Sequence, residues 1–92
     1  MFLLPTKKFR MDLFDEIYRL ERLDRLIRLE CTGNPDELAE KFKVSRRTAL
    51  RLIKILKKIG CPIYFNKYRN SYCYEYPIKL IILKVEEKTS DN

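Results

Sequence analysis

NPDELAEKFKVSRRTALRLIKIL, residues Asn34 to Leu56, reads as two helices joined by a tight turn, and the rest of the chain is arranged around it. It opens on a strong helix-start signal. Asn34 is an N-cap, Pro35 takes the first helical position, Asp36 lies in the first turn, and Glu37, three residues past the cap, completes a capping-box pattern. Leu38, Ala39 and Phe42 then share an inward face. Lys41 to Val44 bring the chain to the turn, where Ser45 is placed to cap the second helix by accepting a hydrogen bond from the backbone near Thr48. That helix is expected over 46–59, because Gly60 stops it and Pro62 forbids continuation.

On a wheel of about 100° per residue, Arg46, Arg47, Leu50, Arg51, Lys54, Lys57 and Lys58 fall within one arc of roughly 140°. Thr48, Ala49, Leu52, Ile53, Ile55, Leu56 and Ile59 fill the other side. One flank is thus made to pack on a core while the other is offered to a polyanion.

The 92 residues suffice for one small domain with a modest core and leave little room for a deep catalytic cleft. A hydrophobic fraction of 46% beside 36% charged residues fits a globular chain, and the longest uncharged apolar run, Leu80 to Leu83, falls far short of a membrane span. No membrane association is expected. Phe2 to Leu4 precede Lys7, Lys8 and Arg10, the reverse of a secretory signal, so the expected compartment is cytoplasmic. Cys31, Cys61 and Cys73 form no CxxC pair and no histidine accompanies them; reduced, structural cysteines and no metal or cofactor are expected.

The net charge of +7 matters less than its placement, for residues 41–74 hold ten basic side chains and no acidic one. Solvated charged faces ordinarily mix both signs, whereas a long purely basic stretch is the footprint of a nucleic-acid surface.

Residues 1–11 show no periodicity and read as a flexible basic arm; Met11, followed by Asp12 as a helix cap, would serve as a translation start as well as Met1. From Asp12 to about Glu30, Leu13, Ile17, Leu20, Leu23 and Ile27 mark one helical flank. Asp15–Arg19, Glu21–Arg25 and Asp24–Arg28 are spaced as favourable i,i+4 pairs. Leu13, Phe14 and Tyr18 exceed what a small domain needs to bury and are available as a dimer contact. Gly33 is expected to take the left-handed conformation that ends this helix.

After Gly60 the period changes to two. Pro62 to Phe65 and Ser71 to Tyr76 read as a hairpin with a charged tip at 66–70, and Ile78 to Val85 as either a third strand of its sheet or a further surface for a dimer contact. Residues 12–85 then form the domain, with 86–92 a loose tail.

A helix entering a major groove needs cations near its N-terminus and small caps that let the backbone approach a phosphate. Arg46, Arg47 and Arg51 are accordingly the candidates for base reading, since arginine can make two hydrogen bonds to guanine. Leu50 reads equally as a peripheral core residue or as a contact for a thymine methyl. Ser45, Thr48, Lys54 and Lys57 are placed for backbone contact, as are Lys67, Tyr68, Arg69 and Asn70 at the hairpin tip. Tyr72, Tyr74 and Tyr76 alternate onto one face, which suits either half-buried sheet surface or a single-strand stacking platform. Catalysis finds little support, for there is no histidine and no glycine-rich phosphate loop.

Residues 22–76 resemble the winged helix-turn-helix at the N-terminus of WYL-domain transcriptional regulators and, more distantly, the biotin-repressor and deoxyribose-operon-repressor types. ELAEKFKVSRRT, the Gly60-Cys61-Pro62-Ile63 exit and the Asn70 to Tyr72 wing carry the likeness. The resemblance implies an α+β, three-helix winged domain binding double-stranded DNA through the helix begun by Ser45. Family members usually have aspartate where Leu52 stands and glycines where Asn70 and Ser71 stand. They also continue into a ligand-sensing domain, of which no effector site carries over here. The expected activity is that of a bacterial-type transcriptional regulator, acting as a homodimer without a small-molecule effector domain. A protein-interaction adaptor and an RNA or single-strand binder are the rivals.

Overall fold

A computed structural model describes the backbone of residues 3–82 and the side chains from Leu13 onward within that span. Three helices, α1 (Leu3–Arg28), α2 (Pro35–Phe42) and α3 (Arg46–Ile59), precede an antiparallel hairpin of β1 (Ile63–Asn66) and β2 (Ser71–Tyr74). This is the α+β winged helix-turn-helix expected from the sequence.

Helix α1 starts at Leu3, not at Asp12, so residues 3–11, expected as an arm, are helical backbone. Pro5 permits this because it lies in the first turn, where its missing N–H has no intrahelical acceptor to lose. The C-terminus is also closed differently. Glu30, directly after the last turn, closes the helix in the left-handed conformation (φ 56°), while the amide of Cys31 donates back to the Leu26 carbonyl at 3.0 Å. Gly33 has another task. Its φ of 79° leads the chain into the α2 cap, and a Cβ there would sit 2.7 Å from Glu37 Cβ and 2.8 Å from its carboxylate. That carboxylate closes the capping box by accepting the Asn34 amide at 2.8 Å, while Asn34 Oδ1 accepts the Glu37 amide at 2.8 Å.

Leu23, Ile27, Leu38, Ala49, Leu52 and Leu56 form the centre of the core where the three helices meet. At about 1.5–3 kcal/mol for each large aliphatic side chain fully withdrawn from water, these contacts dominate the attraction between helices. Leu52, where the resembling regulators have aspartate, is wholly buried and belongs to this packing. Ile59, expected on the inner flank, is 53% exposed because α3 outruns its neighbours in its last turn.

The hairpin is fastened to the junction of α1 and α2 by a buried ring of hydroxyl bonds. Ser71 Oγ accepts the Thr32 amide at 3.0 Å and donates to the Tyr72 carbonyl, while Thr32 Oγ1 accepts the Tyr72 amide at 2.9 Å. Ser71 thus supplies an acceptor to an amide that is otherwise stranded away from water. Ile78 to Ile82 do not form the expected third strand. They run irregularly, with Ile78, Leu80 and Ile82 packed against the core; Val85 and the 86–92 tail lie outside the described residues. Pro77 begins this segment without an amide to donate to β2, and apolar packing replaces pairing.

Candidate nucleic-acid interface

Ser45 begins α3 as expected, in extended conformation, its hydroxyl accepting the Thr48 amide at 3.1 Å. The cap satisfies one amide of the first turn and fixes where the helix starts, so Arg46 and Arg47 emerge together at its N-terminus. Ala49, Leu52, Ile53 and Leu56 bury the opposite flank. Arg46, Arg47, Arg51, Lys54, Lys57 and Lys58 all remain exposed. Leu50 is 37% exposed and shares a shallow hollow with Arg47, Arg51 and Lys54. A second hollow, between α3 and the hairpin, is bounded by Leu50, Ile53, Lys54, Lys57 and Tyr72.

The basic flank is not uniform, because acids from outside the 41–74 stretch fold back onto its arginines. Asp36 at the start of α2 pairs with Arg46 at 3.2 Å. Glu16 of α1 grips Arg51 end-on, Oε2 accepting from Nη1 at 2.6 Å and Oε1 from Nη2 at 3.2 Å. The hydrogen bond and charge of Arg51 hold the Glu16 carboxyl below its ordinary value, and the same carboxylate raises the guanidinium. Among the described residues, Arg47, Lys54, Lys57 and Lys58 have no acidic partner. The unpaired charge therefore runs as a stripe along the middle of the exposed flank, with a paired arginine on either side.

The hairpin tip divides in the same way. Asn66 Oδ1 accepts the amides of Tyr68 and Arg69, tightening the turn, and Asn70 takes the left-handed conformation (φ 53°), which asparagine tolerates better than most residues. Asn70 then donates to Glu37 Oε1 at 2.8 Å, and Arg69 pairs with Glu30 at 2.9 Å. These two candidates are tied to the body of the domain. Lys67 and Tyr68 project from it, Tyr68 entirely exposed.

The alternating tyrosines separate. Tyr72 is 9% exposed and stacks edge-on with Phe65, ring centres 5.0 Å apart; Tyr74 donates its hydroxyl to the buried Asp24 at 2.6 Å; only Tyr76 is largely free. Burial pushes both the Tyr72 and Tyr74 phenols up, and the nearby Arg46 charge partly opposes the shift at Tyr72. Of the three expected i,i+4 pairs on α1, the one formed among the described residues is Asp24–Arg28. The pairing of Glu16, Glu30, Asp36 and Glu37 with Arg51, Arg69, Arg46 and Asn70 is not readable from the sequence, which marks Asp36 and Glu37 for the α2 cap alone, since nothing local announces a partner from another element.

A capped helix with one basic exposed flank, preceded by a short helix across a tight turn and followed by a two-stranded wing, defines a winged helix-turn-helix DNA-binding domain. A family model described as an HTH domain matches residues 22–72, and the chain belongs to that helix-turn-helix family. No curated protein and no solved structure matches. Among the described residues no helix is long and apolar enough to cross a membrane.

Proposed function

We propose that the protein is a sequence-specific regulator of transcription that lays α3 in the major groove of double-stranded DNA. The observation that carries this reading is the stripe Arg47, Lys54, Lys57 and Lys58, without an acidic partner among the described residues and displayed on the helix whose capped N-terminus starts at Ser45. Arg47, nearest that N-terminus, reads a base edge, and Leu50 beside it meets a thymine methyl. Arg46 and Arg51 border the contact, while Ser45, Thr48, Lys54 and Lys57 hold the backbone. The wing adds Lys67 and Tyr68 at an adjacent phosphate or minor groove, with Arg69 and Asn70 setting its pose. Two copies act together on paired half-sites.

Titration of a random duplex at rising salt tests the nucleic-acid step. Affinity is expected to fall with a log–log slope of about −0.9 per phosphate contact. A flat response would instead identify a protein-interaction adaptor. The single-strand reading has lost Tyr72 and Tyr74 to packing and to Asp24.

A further inference from the structure

The Glu16–Arg51 pair joins residues 35 positions apart and brings a carboxylate from α1 to the border of the basic flank of α3. The two partners are not equally exposed. The Glu16 side chain is 27% exposed and that of Arg51 49%, so the carboxylate lies beneath and the guanidinium above it. A guanidinium has five N–H donors in a plane, and an end-on carboxylate takes one from each terminal nitrogen. What remains as a parallel pair is the Nε–H with the second hydrogen of Nη2. Among the described residues Lys54 and Lys57 have no such partner and are free to meet phosphates at any register.

We propose that Glu16 is a specificity-determining positioning residue: it withholds Arg51 from general phosphate contact and presents its one remaining fork to the paired acceptors of a base edge. The proposal rests on the DNA-binding reading above. At the border of the helix, where phosphates are the nearest acceptors, an arginine left mobile satisfies itself on one of them regardless of sequence, and its contribution to affinity is then indifferent to the base. A guanidinium whose charge is already met by a fixed carboxylate gains little from a phosphate. It still gains from two acceptors in the geometry of guanine O6 and N7. Glu16 acts through Arg51 and touches no nucleic acid itself.

The test is a double-substitution cycle with the full chain, using Glu16→Gln, Arg51→Ala and the two combined. Readouts are the salt dependence of binding to a random duplex and the base preferences recovered from a random pool. Releasing Arg51 through Glu16→Gln is expected to tighten random-duplex binding and to steepen the log–log slope by about 0.9, one added phosphate contact. Preference at one or two base pairs should fade at the same time. In the Arg51→Ala background, Glu16→Gln should change neither readout. Thermal unfolding of each variant reports the pair's part in holding α1 to α3. If Glu16→Gln lowers the unfolding temperature but leaves slope and preference as in the wild type, the pair is a structural pin and the proposal fails. If the slope changes equally with and without Arg51, the effect does not pass through Arg51 and the proposal also fails. A wild type that ignores duplex DNA overturns the DNA-binding reading and this inference together.

Discussion

Arg47 and Arg51 stand one turn apart on the same helix and differ only in what surrounds them. Glu16 meets Arg51, whereas Arg47 has no acid within reach among the described residues. Both belonged to the basic arc read from the helical period, because a wheel orders side chains by angle and is blind to the opposite strand or helix. The expected consequence is a division of labour. Arg47→Ala should weaken binding to a selected duplex by about 1–3 kcal/mol and relax preference at the base pair it reads. Lys54→Ala should weaken all duplexes alike and reduce the salt slope by about one contact. Binding to selected and random duplexes, compared at two salt concentrations, separates the two patterns. Equal loss on every sequence for Arg47→Ala would place that arginine on a phosphate.

At the scale of elements, what was legible in the sequence was local. The capping box of α2, the Ser45 cap and the Gly60 stop each involve neighbours within a few residues, and each stands where it was read. The start of α1, the residue that closes it and the path of Ile78 to Ile82 differ from the sequence expectation because a competing arrangement wins: helical backbone continues before Asp12, Glu30 closes the helix while Gly33 takes its positive φ three residues later, and packing displaces a third strand. Asp24 shows the same limit. Its i,i+4 pairing with Arg28 is legible in the sequence, whereas the hydrogen bond it accepts at 2.6 Å from Tyr74, fifty positions away, is not. Removing that hydroxyl in Tyr74→Phe should cost about 1.5–3 kcal/mol, the range for a hydrogen bond to a charged group. The pH dependence has a definite sign. Burial, and then the Asp24 bond, raise the folded-state value of Tyr74, so its stabilising contribution is complete below the ordinary phenol range. It fades as pH climbs above about 10, where the unfolded tyrosine begins to ionise. Denaturant unfolding of wild type and Tyr74→Phe should therefore show a gap that is constant near neutrality and narrows in alkali. A gap independent of pH throughout would mean that Tyr74 ionises alike in both states.

For the whole molecule, the decisive pattern is that acids lie entirely outside residues 41–74 in sequence, yet several fold back onto that stretch in space. The bare net charge of +7 therefore overstates the number of cations free to meet DNA. With the arginines at the borders partly neutralised, one copy commands a short stripe, and on the proposed reading specific affinity comes from a second copy on a neighbouring half-site. The exposed group Leu13, Phe14 and Tyr18 on α1, each more than half accessible, is the surface assigned to that contact. It lies along the same helix as Glu16, so a partner seated there is rigidly related to both recognition helices. Replacing Leu13 and Phe14 together by serine should yield a monomer in sedimentation. That variant should retain wild-type affinity for an isolated half-site while losing about 100-fold on the paired site, because the second contact then no longer benefits from the effective concentration set by the first. Selection from a random pool with the wild type should return an inverted repeat. Recovery of a lone half-site, with the serine variant as tight as the wild type, would show that each copy acts alone and that the α1 patch serves some other partner.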